Sequence, residues 1–327
     1  MSKPKKLAVL TSGGDAPGLN ACIRAVVRTS YYFGAEIVGV RRGFKGLIER
    51  EFEPLTPRSV GGILGRGGTI LLSAREKRFL QKEYREIAYK NLVNEGIDAL
   101  FVIGGNGSFQ GANLLNKEFN FPIIGIPKTI DNDTFGTDYT IGFDTAVNNA
   151  MDAIDKIRDT SMSHERVFVV EVMGRQSGFI ALEVGLATGA DVTLIPEYPF
   201  PLHAILNSII QSRERGKKFS IVVVAEGVTS GREMANLLQK HLKGADFGGV
   251  RYSVLGYIQR GGSPTVYDRN MASRFGAAAV EHYLQGNKNF MVSYEKGQIT
   301  FKPLEISFGK IKKPNLKEFE LANMLTL

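Results

Sequence analysis

Short apolar runs separated by longer amphipathic stretches recur along most of the chain. The runs fall at 7–10 (LAVL), 36–40 (EIVGV), 99–105 (ALFVIGG), 121–127 (FPIIGIP), 166–172 (RVFVVEV), 191–196 (DVTLIP) and 220–227 (SIVVVAEG). Within them apolar residues are continuous rather than alternating, and valine and isoleucine dominate. That is the pattern of strands covered on both faces of a parallel sheet. Between the runs the spacing predicts helices. In 17–33, Leu19, Ile23, Val26 and Val27 share a face, Pro17 stands near the start and Gly34 is a stop signal. In 144–158, Ala146, Val147, Ala150, Met151, Ile154 and Ile157 form one stripe. Strand–helix alternation of this kind predicts an open α/β sheet with right-handed crossovers. Near the end, FMVSYEKGQITFKPL reads as a hairpin turning at Lys296-Gly297.

In open α/β sheets, ligands bind beyond the carboxyl ends of the strands. The polar punctuation of this sequence sits there. TSGGDAPG follows the first run, GGNGS the third, KTIDND the fourth and MGRQSG the fifth, while QRGGSP follows a further run, YSVLGYI. The 327 residues suffice for about two domains. No apolar run approaches the ~20 residues that cross a bilayer, and the first run ends in glycine and Asp15, as a first strand does and a signal peptide does not. A single cysteine, Cys22, excludes an internal disulfide and fits a reducing cytoplasm. The net charge of +8 is compatible with solvated lysines or with anionic partners. The only dense basic runs are RERGKK and KIKK, without interleaved aromatics, so small phosphorylated ligands fit the charge better than nucleic acid.

Taken alone, each motif has an ordinary explanation. GGNGS (104–108) opens a helix after a strand, where glycines admit a phosphate to backbone N–H groups, but glycines there also serve packing. Gly105, Gly107 and Gly111 lack dinucleotide spacing, and Leu19 and Asn20 stand where a Walker loop needs lysine and Ser/Thr. KTIDND offers two carboxylates, Asp131 and Asp133, one to take a proton from a hydroxyl while the other helps hold Mg²⁺, or else an Asx-turn pair. Arg166, Arg175, Arg251 and Arg260 lie at the edges of apolar runs, and arginine suits bidentate phosphate binding. The four histidines show no metal-ligand spacing.

Together the segments LTSGGDAPGLNACIRAVVR, GGTILLSAR, GGNGS, PKTIDNDTFGTDYTIGFDTA, SHERVFVVEVMGRQSG, AEG and VLGYIQRGGSPT-YDR, in this order and spacing, resemble the bacterial 6-phosphofructokinases over nearly the whole length. The resemblance implies two interleaved Rossmann-like three-layer α/β domains with mostly parallel sheets. Residues 1–142 and 255–305 would bind the phosphoryl donor, and residues 143–254 and 306–327 the sugar phosphate. It further implies a homotetramer in the cytoplasm, with no nucleic-acid or membrane partner. The reaction would be transfer from ATP·Mg²⁺ to the 1-hydroxyl of fructose 6-phosphate. Asp131 would be the general base and Thr129 would bind near the transferring phosphoryl. Arg175 would stabilise its charge, with Asn106 and Asp133 at the metal. Gly14, Arg75, Gly104, Gly105, Asn106, Gly107 and Ser108 would line the nucleotide site. Met173, Gly174, Glu226 and Tyr257 would contact the sugar. Arg166, Arg251 and Arg260 would hold its phosphate, some from a neighbouring subunit. Arg24, Arg28, Arg158, Gly189, Asp191, Arg215, Lys217 and Lys218 match parts of an effector site for ADP or phosphoenolpyruvate.

The sequence departs from the family pattern in places. Asn106 replaces an acidic metal ligand, Lys128 a glycine frequent in ATP-users, Tyr257 a histidine, Glu76 an aromatic near the nucleotide, and Asp191 a longer glutamate. Lys128 is a residue type found in pyrophosphate-using relatives, whereas Gly107 leaves space for a nucleotide α-phosphate. The expected donor is therefore ATP, with a pyrophosphate-dependent enzyme or a non-catalytic sugar-phosphate- or nucleotide-binding regulatory homologue as alternatives.

Overall fold

All seven of the apolar runs become strands in the computed structural model, which describes residues 4–242 and 247–325. The strands are β1 (Lys6–Thr11), β2 (Glu36–Val40), β3 (Phe52–Leu55), β4 (Ala99–Gly104), β5 (Ile123–Pro127), β6 (Val167–Val172), β7 (Val192–Leu194), β8 (Ser220–Ala225), β9 (Val250–Val254), β10 (Phe290–Glu295) and β11 (Gln298–Pro303). The helices are α1 (Leu19–Tyr32), α2 (Phe44–Glu49), α3 (Lys82–Asn94), α4 (Asn106–Phe119), α5 (Phe143–Ser163), α6 (Phe179–Thr188), α7 (Leu202–Glu214), α8 (Gly231–His241), α9 (Val266–Leu284) and α10 (Leu316–Met324). The chain divides into two units. One comprises the residues up to Ile130, Thr134–Thr145 and Arg260–Lys312; the other comprises Asp131–Asp133, Ala146–Gln259 and the residues from Lys313.

The first unit holds a seven-stranded sheet in the order β11-β10-β5-β4-β1-β2-β3, parallel except at its two ends. From β1 the chain steps to β2 on one side and later to β4 on the other, so the strand order reverses between β1 and β4. A crevice at such a reversal is where open sheets bind ligands. Leu10, Leu100, Val102, Phe109 and Leu115 pack in one core of this unit. The second unit holds a four-stranded parallel sheet, β7-β8-β6-β9, whose core includes Val169, Val222, Val224, Ile209 and Leu238.

Two local readings need correction. β3 was not expected: it is a four-residue edge strand containing Pro54, which the edge position tolerates. The run YSVLGYI does not stay extended, because Gly256 turns to φ +51° and Gly256–Arg260 winds into a short 3₁₀ helix. The hairpin turns where expected, with φ +49° at Lys296 and +84° at Gly297, the signs that a two-residue connection between twisted strands requires.

Two buried polar clusters brace the first unit. Asp268, fully buried near the start of α9, accepts hydrogen bonds from Tyr139 Oη (2.6 Å), Gly142 N (2.6 Å), Thr145 N (2.8 Å) and Thr145 Oγ1 (2.5 Å). It thereby ties the loop ahead of α5 to α9. Burial pushes its carboxyl above the usual carboxylate range, against the pull of those donors. The second cluster joins α3 to α4. Arg85, 5% exposed, makes a two-point contact with Glu118, Nε to Oε2 at 2.7 Å and Nη2 to Oε1 at 2.5 Å. Hydrogen bonding to Arg85 holds the Glu118 carboxyl below the usual range. A lowered folded-state value means the pair stabilises fully above the unfolded-state value and loses that contribution as pH falls through the folded one. Glu118→Gln should therefore cost roughly 1–3 kcal/mol at pH 7 and progressively less below about pH 4. Chemical denaturation at pH 7 and pH 3 measures this; an equal loss at both would show that the pairing does not titrate.

Candidate active site

In the first unit the site is assembled from loops at the carboxyl ends of β1, β4 and β5. Gly104 ends β4, and a Cβ there would stand 2.5 Å from Ser108 Cβ, so the close approach requires glycine. Gly105 precedes α4, whose first residue is Asn106, with its Oδ1 buried. Four backbone N–H groups at a helix start lack intrahelical partners and favour an anion. Gly107 lies in the first turn, exposed, and an added Cβ would meet nothing within 4 Å. Ser108 Oγ donates to Ser12 Oγ at 2.9 Å, joining the β4 loop to the β1 loop. Lys128, at the end of β5, is 3% exposed and donates to the carbonyls of Ser12 (3.0 Å) and Gly14. Thr129 follows it, half-buried, its carbonyl accepting from Thr140 Oγ1 at 2.7 Å.

Arg75 is exposed on the loop after Ser73. Its neighbour Glu76 turns back on Arg78, accepting from its backbone N at 2.9 Å and its Nη2 at 2.6 Å, and this hydrogen bonding holds the Glu76 carboxyl low. Arg260 also belongs to this unit. It packs against Gly14, where a Cβ would stand 2.3 Å from Nη1, and lies 3.9 Å from Asp15.

The second unit presents the loop after β6. Asp131 is 3% exposed, and its Oδ2 lies 3.7 Å from Arg175 Nε. Arg175 has φ +54°, a left-handed backbone that costs a non-glycine residue about 1–3 kcal/mol. Gly174 before it has φ +141°, and a Cβ there would reach 2.3 Å from the Ser177 carbonyl. The loop is held by side chains at three successive amides. Met173 N donates to Gln259 Oε1 (2.9 Å), and Gly174 N and Arg175 N donate to Glu226 Oε1 (3.1 and 2.7 Å). Ser177 Oγ in turn donates to the Asp131 carbonyl at 3.1 Å. The strain at Arg175 is thus imposed by its surroundings.

The expected residues do not all gather. Arg175, Met173, Gly174 and Glu226 lie at the carboxyl ends of β6 and β8. Arg166 precedes β6, and Arg251 pairs with Phe168 near its start. These two arginines stand at the amino-terminal ends of β6 and β9, at the opposite end of the strands and about 20 Å away at ~3.3 Å per residue. Tyr257, 79% exposed, is on the 3₁₀ turn after β9. Among the effector candidates, Arg24 and Arg28 are on α1, in the first unit. Arg158 donates to the Thr188 carbonyl, next to Gly189 (φ +57°). Asp191 is buried, accepting from Lys217 Nζ (2.6 Å) and Ile221 N (2.8 Å). Arg215 Nη2 reaches Ser212 Oγ at 3.4 Å, while Lys218 pairs with Glu165 at 3.0 Å. Gln259 and Ser177 were missed as site residues. Both stood inside quoted motifs, QRGGSP and MGRQSG, but a buried amide and a hydroxyl give no charge signal.

No group of three or more His, Cys, Asp or Glu side chains that could hold a metal ion occurs among the described residues. Mg²⁺ carried mainly by substrate phosphates needs one or two protein oxygens; in the first unit Asn106 Oδ1 is buried, and in the second Asp133 is a half-buried carboxylate.

Residues 6–283 match the family model described as Phosphofructokinase. The chain is 72% identical to the ATP-dependent 6-phosphofructokinase of Persephonella marina and 64% identical to that of Sulfurihydrogenibium sp. YO3AOP1, over 99% of this chain and 100% of each relative. Among solved structures it is similar to Pichia pastoris phosphofructokinase in the T-state, with a TM-score of 0.88 and 36% identity, covering 94% of this chain and 36% of that longer one. It is also similar to a pyrophosphate-dependent phosphofructokinase from Marinobacter aquaeolei, with a TM-score of 0.84 and 25% identity, covering 96% and 86%.

Proposed function

The chain belongs to the phosphofructokinase family, and on that premise we propose that it transfers a phosphoryl group from ATP·Mg²⁺ to the 1-hydroxyl of fructose 6-phosphate, a glycolytic reaction. The observation that carries this reading is the buried Asp131 carboxylate beside Arg175 on a strained loop pinned by Glu226. Phosphoryl transfer needs positioning and charge stabilisation more than covalent help. Asp131 takes the proton of the attacking hydroxyl. Arg175 neutralises charge on the transferring phosphoryl, and Thr129 binds beside that group. Asn106 and Asp133 are the residues we assign to Mg²⁺, which would supply positive charge to the donor's phosphate oxygens. The Glu226 oxygen not shared by the loop amides accepts a sugar hydroxyl, with Met173, Gly174 and Tyr257 as further sugar contacts. A sensor without catalysis is disfavoured, because the base and its arginine are kept together.

Gly14, Arg75 and Gly104 to Ser108 line the donor site in this reading, which takes residues 1–142 and 255–305 as the donor-binding domain and 143–254 and 306–327 as the acceptor domain; the compact units differ in placing Asp131–Asp133 and the residues up to Gln259 in the second unit. The placement of Arg166 and Arg251 at the amino-terminal ends of β6 and β9, away from Arg175, supports their serving the sugar phosphate of a neighbouring copy in a homotetramer. Arg260 lies with the donor loop and completes that phosphate site from its own chain. The effector candidates on α5, α6 and the β7–β8 region support an ADP or phosphoenolpyruvate site, and the reading places the enzyme in the cytoplasm.

Open space around Gly107 supports ATP over pyrophosphate as donor. Parallel turnover assays with ATP and with pyrophosphate test this, and ATP should give the faster rate. Faster turnover on pyrophosphate would overturn the assignment.

A further inference from the structure

The SGG turn after β1 has three consecutive carbonyls, and each is held by a side chain from elsewhere. Lys128 Nζ donates to the carbonyls of Ser12 and Gly14, and Ser73 Oγ donates to that of Gly13 at 2.6 Å. A trans peptide is planar, so its N–H points opposite to its C=O. Fixing these three carbonyls therefore fixes the N–H groups of Gly13, Gly14 and Asp15, which belong to the same three peptide planes. The carbonyls of Ser12 and Gly14 converge on the one ammonium, so the N–H groups of Gly13 and Asp15, in the same two planes, both point away from it. Gly13 has φ +84°, so its backbone adopts this turn without the strain a side chain would add. Successive backbone N–H groups presented together make an anion-binding concavity.

Lys128 could instead be read as a direct phosphate ligand, as its residue type in the sequence first suggests. Its burial and its two carbonyl acceptors place the ammonium behind the turn. There the charge orients two peptide dipoles whose positive ends face outward. We propose that Lys128 is a positioning residue for the donor site, holding the β1 turn in its phosphate-accepting form and acting on the phosphate only through that backbone. The proposal rests on the reading of this turn as part of the ATP site.

The test uses Lys128→Met, which keeps length and removes the donors, with Ser73→Ala as a second variant that unties the neighbouring carbonyl. Two quantities are measured: amide hydrogen exchange of the segment containing residues 12–15 without nucleotide, and the KM values for ATP and for fructose 6-phosphate. Exchange should quicken in the nucleotide-free variant and the ATP KM should rise roughly tenfold to a hundredfold, the loss of one charge-assisted hydrogen bond, while the sugar KM stays near its original value. A raised ATP KM with unchanged exchange would show direct phosphate contact and overturn the proposal, as would an unchanged ATP KM. If Lys128→Met does not fold, quickened exchange and a smaller rise in ATP KM in Ser73→Ala support the clamp, and neither change refutes it. Failure of the unmodified protein to use ATP would refute the donor reading instead, and the exchange measurement would still judge the clamp.

Discussion

Replacing Asp131 by asparagine should lower kcat by at least about 10²–10⁴-fold, with the KM for fructose 6-phosphate changing far less. The substitution preserves shape at a position only 3% exposed and leaves the Ser177 hydrogen bond intact, because that bond is made to the backbone carbonyl. What it removes is a proton acceptor and one negative charge beside Arg175. A mere structural role for the carboxylate would show as lost stability with turnover per folded molecule retained. Steady-state rates normalised to folded protein, with thermal unfolding measured alongside, separate the two, and near-normal turnover would sink the assignment of Asp131 as base.

The second large effect is expected at Gly107. Its surroundings are open, so an aspartate fits without displacing any neighbour and the fold should survive. The cost falls on the ligand. A carboxylate about 4 Å from a nucleotide phosphate opposes it by roughly 4 kcal/mol at an effective dielectric of 20, and the first turn of a partly exposed helix softens that figure. ATP use in Gly107→Asp should therefore fall by about a hundredfold or more in kcat/KM, with the sugar's own affinity preserved. Pyrophosphate, lacking a third phosphate and a nucleoside, does not meet the new charge in the same way. An unaltered kcat/KM for ATP would mean that the α-phosphate lies elsewhere.

The strands of both sheets were readable because burial on two faces removes polar residues from them, as in the continuous valines of β6 and β8. The Lys296-Gly297 turn was readable because few residue pairs tolerate two positive φ values. β3 was not, since FEPL has neither a run nor an alternation, and β9 slid because its register is set by pairing with β6 rather than by its own apolar residues. Among site residues, Asp131 and Arg175 stood out through the family resemblance. Gln259 and Ser73 act through single hydrogen bonds to amides or carbonyls 86 and 60 residues away, contacts that no local pattern encodes. Lys128 was visible, but its charge pointed outward on paper and inward in the fold.

The order of strands in the seven-stranded sheet has a consequence for synthesis. β5 pairs with β10, which is made about 160 residues later. At ~5–20 residues per second the ribosome takes roughly 8–30 s to deliver it. Throughout that interval the nascent sheet ends in β5, an apolar strand of five residues with one row of backbone groups unpaired. The β10–β11 hairpin then arrives as a preformed local unit and closes the edge, with β11 taking over as the outer strand. The four-stranded sheet, by contrast, is encoded without interruption between Val167 and Val254, so it can be complete before the older sheet is. Maturation would thus run against the order of the sequence. Its most vulnerable moment belongs to the part of the chain that was translated first.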